Sequence, residues 1–179
     1  MRRLALEDVF EFGSLLAKNN GMHFTFANLD EFKISRKVIR GEESYSTPPL
    51  FRAVKGRRFL DFLSTDSGPF LMSRRVVDIL TSAKFTGFSC FPVILSDRAG
   101  RELQHSYFSI SVFGRVGPRD PQNPLISFDL DSWDGSDIFM TKSTDNCLAL
   151  RSVIEAVTSI APTNLDFYPI VPDAKWDAP

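Results

Sequence analysis

The chain has 179 residues, 43% hydrophobic and 24% charged, with a formal net charge of -1. This suits a single globular domain over residues 1–179 with a proper core, and it excludes a generic polyanion binder, because neutralising phosphates needs a basic surplus. Cys90 and Cys147 make neither a disulfide framework nor a metal set and fit a reducing compartment. No run approaches the roughly 18 apolar residues of a membrane span. Glu7, Asp8 and Glu11 interrupt any signal-peptide core, so a cytoplasmic location is expected.

In chain order, residues 1–20 read as a helix through Leu6, Val9, Phe10, Gly13 and Leu16, stopped at Asn19, Asn20 and Gly21. His23 to Phe26 alternates. Asp30 to Arg40 is a polar, basic stretch closed by Gly41, residues 44–49 (SYSTPP) are a loop, and Phe59 to Leu63 leads into a longer pattern. That pattern occurs twice. Residues 70–94 (FLMSRRVVDILTSAKFTGFSCFPVI) and 147–171 (CLALRSVIEAVTSIAPTNLDFYPIV) align without a gap at an offset of 77 positions. Leu71/Leu148, Arg74/Arg151, Val76/Val153, Thr81/Thr158, Ser82/Ser159, Thr86/Thr163 and Pro92/Pro169 are identical pairs, and a repeat mixing buried and polar matches is a structural unit.

Each copy reads as strand, helix, strand. Ser73 is a good N-cap whose hydroxyl can satisfy an orphan amide. After it Val76, Val77, Ile79, Leu80 and Ala83 recur at helical spacing and leave Arg74, Arg75, Asp78 and Ser82 for solvent. Thr86 and Gly87 end the helix, and Phe88 to Leu95 is dense in β-formers. The second copy runs from Leu148–Leu150 through a helix at Arg151–Ile160, stopped before Pro162, to a strand at Leu165–Val171. About 14 residues between the strands suffice for a parallel crossover. Pro92 and Pro169 lack an N–H, which favours a sheet edge or a bulge. Between the copies, Phe108, Ile110 and Val112 alternate with Ser109 and Ser111 inside a strand over Gln104–Val116. A proline-broken loop follows at 117–124, then strands at Leu125–Leu130 and Asp137–Thr141 that flank an acidic turn. The expected fold is α+β: a single domain with two repeated strand-helix-strand modules, about 70–94 and 147–171, joined by antiparallel strands. Most of the seventeen phenylalanines belong to its core.

Charge is uneven along the chain. Lys33, Arg36, Lys37, Arg40, Arg52, Lys55, Arg57 and Arg58 face only Glu42 and Glu43 between positions 33 and 58. Six aspartates between 120 and 145 face only Lys142, and around Trp133 and Gly135 they make the better docking candidate. Asp129, Asp131, Trp133, Asp134 and Asp137 are the expected partner-binding residues, with Trp133 either an exposed anchor or a core residue beneath a merely solubilising loop. The run FDLDSWDGSD is not a calcium loop, because Asp129, Asp131 and Asp134 miss the required spacing and Met140 stands where the bidentate glutamate belongs. His23 and His105 lie in no recognisable motif, and no GxSxG elbow, phosphate-cradling glycine loop or HExxH is present. No catalytic residue, metal or cofactor is therefore expected. A small cytosolic hydrolase using Cys90 or His105 is the alternative, and a regulatory interaction module without a toxin is another.

The stretches LDFLSTDSGPFLMSRRVVDIL (60–80), FTGFSCFPVIL (85–95), HSYFSISVFGRV (105–116), SWDGSDIF (132–139) and LDFYPIV (165–171) occur in the order seen in the bacterial polymorphic-toxin immunity family numbered eleven, formerly a domain of unknown function. The chain resembles that family over about residues 20–172. It departs at Leu150, where the family usually has a serine before the second helix. The resemblance implies a protein that neutralises a cognate toxin by protein-protein occlusion, without catalysis, direct nucleic-acid binding or membrane attachment, and it specifies no oligomeric state. An acidic turn suits a basic toxin, and a toxin-like reading frame beside the gene would separate this reading from the alternatives.

Overall fold

The computed structural model describes residues 4–14, 21–66, 70–118, 128–141 and 146–170. A 3-10 turn (Leu6–Asp8) leads into β1 (Val9–Ser14), β2 (His23–Phe26), α1 (Leu29–Ile39), β3 (Leu50–Lys55), β4 (Phe62–Thr65), β5 (Leu71–Ser73), α2 (Arg74–Ser82), β6 (Phe88–Ser96), β7 (Tyr107–Val112) and β8 (Arg115–Pro118). Then come β9 (Phe128–Asp129), a 3-10 turn (Leu130–Ser132), β10 (Ile138–Thr141), β11 (Cys147–Leu150), α3 (Arg151–Thr158) and β12 (Leu165–Pro169). The fold is mixed α+β. Its strands form a closed barrel of order β2-β3-β6-β7-β5-β4 and an open six-stranded sheet of order β12-β1-β11-β10-β8-β9.

Alternation along the strands sorts the side chains into three cores. All six barrel strands contribute to the barrel interior, through Phe24, Phe51, Leu63, Leu71, Val93, Leu95 and Tyr107. Between barrel and sheet lie α2 and α3. Val76, Val77 and Leu80 of the one and Val153 and Val157 of the other pack with Ile110 and Val112 of β7 and with Ile138, Met140, Cys147 and Ala149 of the sheet. The opposite face of the sheet is covered by a third cluster that includes Val9, Val116, Trp133, Phe139 and Leu148. As the periodicity predicts, Arg74, Arg75, Asp78 and Ser82 of α2 are exposed.

The two aligned segments are strand, helix, strand at matching positions: β5-α2-β6 and β11-α3-β12. In neither do the two strands pair with each other. Both β5 and β6 are antiparallel to β7, and both β11 and β12 to β1, so each strand pair is parallel but split by an inserted strand. Registers also correspond. Phe62 and Leu63 lie opposite Met72 and Leu71, as Ile138 and Phe139 lie opposite Ala149 and Leu148. Phe108 sits between Met72 and Pro92, and Phe10 between Ala149 and Pro169. The Arg74 guanidinium stands 4.6 Å from the Phe108 ring centroid and that of Arg151 5.0 Å from Phe10. After α2 and after α3 a non-glycine residue at the matching position takes a left-handed conformation, Lys84 at φ 57° and Ala161 at φ 46°.

Several expectations are corrected. Among the described residues of the first segment, Leu6–Asp8 is a 3-10 turn and Val9–Ser14 is a strand instead of a helix, because it fills the slot between β11 and β12 and its backbone groups are satisfied by ladders on both sides. The polar stretch after residue 29 is helix α1, whose N-cap Asn28 accepts from the Asp30 amide and whose Val38 carbonyl accepts from Ser111 Oγ on β7. The long middle strand is two strands, broken where the amides of Phe113 and Gly114 both donate to the Gly87 carbonyl. Ser73 does occupy the N-cap of α2, but its hydroxyl donates to Asp61 instead of capping. Leu150 holds the equivalent place before α3, also without a side-chain cap. Pro169 lies on the outermost strand of the open sheet, and β3 registers against β6 only beyond Pro92, at Ile94–Ser96. The ends of the predicted elements at 15–20, 119–127 and Val171 lie outside the described residues.

Candidate functional site

The acidic turn is tightly tied. The Asp129 carboxylate accepts from the Asp131 amide at 3.2 Å, and Ser132 Oγ bridges the Asp129 carbonyl (2.7 Å) and the Gly117 amide (2.6 Å). Asp134 accepts from the amides of Arg115 (2.8 Å) and Ser136 (3.0 Å). One oxygen of Asp137 accepts from the amide and the hydroxyl of Thr86, each at 2.9 Å. Of the two readings of Trp133, the core one holds and the exposed anchor does not, since the ring is only 8% exposed. Its indole N–H donates to the Ser136 carbonyl at 2.9 Å and the ring tilts against Phe139 in the third core, because the turn folds back over the open sheet. Asp129, Asp131 and Asp134 remain exposed, and Asp137 is half-buried.

The reciprocal of the Asp137–Thr86 contact lies on the barrel side. Asp61, buried just before β4, accepts from Ser73 Oγ and Arg75 Nε on Oδ1, and from Arg75 Nη2 and the amide and hydroxyl of Thr163 on Oδ2. Burial opposes its ionisation, but the donors from Arg75, Ser73 and Thr163 outweigh it and hold the carboxyl well below the usual range. Thr86 and Thr163 are identical residues at matching positions of the two aligned segments, and each is held by the aspartate that precedes the strand paired with the first strand of the other segment. The carbonyls of Asp61 and Asp137 likewise accept from the amides of Ser73 and Leu150.

Cys90 and Cys147 are poor nucleophiles, because burial pushes both thiols up to about 12. The structure does not bring Cys90 and His105 to one core. Cys90 packs against the cluster between barrel and sheet, whereas His105 stacks on Phe59, at 3.7 Å between ring centroids, beside the barrel interior. His23 is the histidine with polar partners, since Nδ1 lies 2.6 Å from Ser64 Oγ and Nε2 contacts Asp66 Oδ1. His23 opens β2, Ser64 lies within β4 and Asp66 follows its end, so each has a local place in the sequence pattern. That pattern does not say that the two strands are neighbours. Among the described residues no group of three or more His, Cys, Asp or Glu side chains is placed to hold a metal ion.

The basic 33–58 stretch is spread over α1, β3 and the residues that follow each, and is partly neutralised by ion pairs of Lys33 with Asp30 (2.7 Å), Lys37 with Glu43 (2.6 Å) and Arg40 with Glu42 (3.0 Å). Beside it a cleft of about 330 Å³ opens between the loop after α1 and strands β6 and β7, lined in part by Tyr45, Pro48, Pro49, Phe91, Pro92 and Phe113. The Tyr45 ring meets Phe91 edge-on at 5.6 Å, and its hydroxyl donates to the Glu31 carbonyl.

Compared with models of known protein families and with curated proteins, the chain matches none. No helix among the described residues is long and apolar enough to cross a membrane.

Proposed function

We propose that the chain is an immunity protein that binds a cognate bacterial toxin and occludes its active site or substrate groove, and that its scaffold is two copies of one strand-helix-strand module. The rigid acidic turn is the observation that carries the binding reading. Hydrogen bonds accepted by the carboxylates of Asp129, Asp134 and Asp137, together with the buried Trp133, hold it in one shape, while Asp129 and Asp131 stay exposed. A preorganised surface loses little entropy on docking, and its exposed carboxylates steer a basic partner. Trp133 contributes by keeping the shape of the turn, not by touching the toxin. Matching registers, matching arginine-on-phenylalanine contacts and the reciprocal Asp61–Thr163 and Asp137–Thr86 ties support the duplicated scaffold. A hydrolase built on Cys90 or His105 loses support, since burial keeps the thiol protonated and His105 packs elsewhere.

Co-expression with the toxin encoded by an adjacent reading frame tests the reading. The wild type should restore growth. The Asp129→Asn, Asp131→Asn double variant should associate several-fold more slowly at low salt and converge with the wild type at high salt, where the Debye length is short. A folded wild-type protein that neither binds nor neutralises the toxin would remove the proposal, and equal association rates would remove the turn.

A further inference from the structure

Three side chains that toxin binding does not use meet on the outer face of the barrel. β2 and β4 run parallel with His23 opposite Ser64 and Phe24 opposite Thr65. Leu63 is buried in the barrel interior, so alternation along β4 turns Ser64 outward, where it meets His23, its register partner at the irregular start of β2, and Asp66, just past the end of β4, joins them. His23 Nδ1 is 2.6 Å from Ser64 Oγ, and Nε2 contacts Asp66 Oδ1. An ionised carboxylate only accepts, so Nε2 carries the proton. In the neutral imidazole Nδ1 is then bare and accepts from the Ser64 hydroxyl. Hydroxyl, base and orienting carboxylate in hydrogen-bonded sequence is the arrangement that activates an alcohol. The His23 side chain is 15% exposed and that of Asp66 50%, which shelters the base and leaves the group reachable from solvent. Lys55, opposite His23 in β3, places a positive charge near Asp66.

We propose that Ser64 is a nucleophile activated by His23, that Asp66 positions the imidazole, and that the site hydrolyses small carboxylic esters. Ser64 Oγ forms a bond to the ester carbonyl carbon while its proton passes to His23 Nδ1. The carbon–alkoxy bond breaks and the leaving alcohol takes that proton. Water then attacks the acyl-serine, giving its proton to His23, and the serine oxygen recovers it as the carboxylic acid departs. Ester and water become acid and alcohol, and no redox partner is required. Its position on the barrel's outer face suits an ester small or extended enough to lie along the strands. This activity is independent of toxin binding, and its failure leaves that reading untouched.

A fluorophosphonate probe tests the site on the intact chain. Its phosphorus should bond to Ser64 Oγ with loss of fluoride, and peptide mass spectrometry of the wild type should locate the adduct without any variant. Labelling should vanish in Ser64→Ala and fall at least tenfold in His23→Gln. In Asp66→Asn the side-chain amide can donate to Nε2, which moves the ring proton to Nδ1 and removes the base, so labelling should also fall at least tenfold although shape is conserved. p-Nitrophenyl acetate hydrolysis should follow the same order. If the folded wild type is not labelled at Ser64, or if folded His23→Gln is labelled as fast, the proposal is overturned and the three residues only fasten the β2–β4 seam.

Discussion

Asp61→Asn should destabilise the protein by about 3 kcal/mol, and the reasoning follows from which oxygens are used. Both carboxylate oxygens of Asp61 accept: Oδ1 from Ser73 and Arg75, Oδ2 from Arg75 and from both donors of Thr163. An asparagine must point its NH2 at one of these donor sets, which leaves a buried donor facing another donor. Hydrogen bonds to charged groups are worth about 1.5–3 kcal/mol each, and breaking a buried pair costs about 3–5 kcal/mol. Arg75 is 49% exposed and can rehydrate, which brings the expected loss toward the lower end. For a chain of this size about 3 kcal/mol lowers Tm by roughly 6–12 °C. At the reciprocal site Asp137 uses one oxygen for both Thr86 donors, so Asp137→Asn can keep that acceptor and should cost about 1 kcal/mol or less. Urea denaturation of both variants measures the difference. The pH dependence follows from the depressed carboxyl of the folded state: the contribution of Asp61 is full above the ordinary carboxylate range and is lost as pH falls through it toward the folded value. The gap between wild type and Asp61→Asn should therefore narrow in acid. A loss below about 1 kcal/mol at neutral pH, or equal losses at Asp61 and Asp137, would refute the argument.

Trp133→Ala should cost about 3–5 kcal/mol by emptying part of the third core, whereas Asp131→Asn should stay within about 0.5 kcal/mol of wild type; thermal melts compare them. Gly87→Ala should lose about 3 kcal/mol, because Gly87 has φ +88° and an added Cβ would lie 2.0 Å from the Ile138 carbonyl oxygen and 2.5 Å from Ser136 Cβ; a soluble variant with unchanged denaturation midpoint would contradict this. A thiol reagent at pH 8 should modify Cys90 and Cys147 at least tenfold more slowly in the native protein than in urea, since burial holds both thiols up to about 12; equal rates would show that they are reachable. Cys90→Ser and His105→Ala, if folded, should bind the toxin as the wild type does, and a binding assay on each decides it.

Local chemistry made much of this fold legible from the sequence. Apolar spacing marked α2 and α3, with Arg74, Arg75 and Asp78 turned to solvent, and the offset of 77 marked two segments that take the same three elements. β1 was not legible, because Leu6, Val9, Phe10 and Gly13 fall at helical spacing and not in alternation, so the local pattern points to a helix. Its place between β11 and β12 comes from strands more than a hundred residues away. The gapless alignment singled out Thr86 and Thr163 as identical, but their use, each tied to an aspartate before the strand that pairs with the other aligned segment, depends on contacts across 51 and 102 positions. Trp133 in an aspartate-rich turn has the composition of an interface anchor, and only the fold of that turn onto Phe139 made it core. His23 gained its partners when β2 and β4 became neighbours, 41 and 43 residues apart. Periodicity determines which face of a segment is apolar, because that depends on residues within a few turns or pleats. Which distant segment covers that face, and which donor meets which carboxylate, is set by the mutual packing of all elements, and that decision belongs to the tertiary structure.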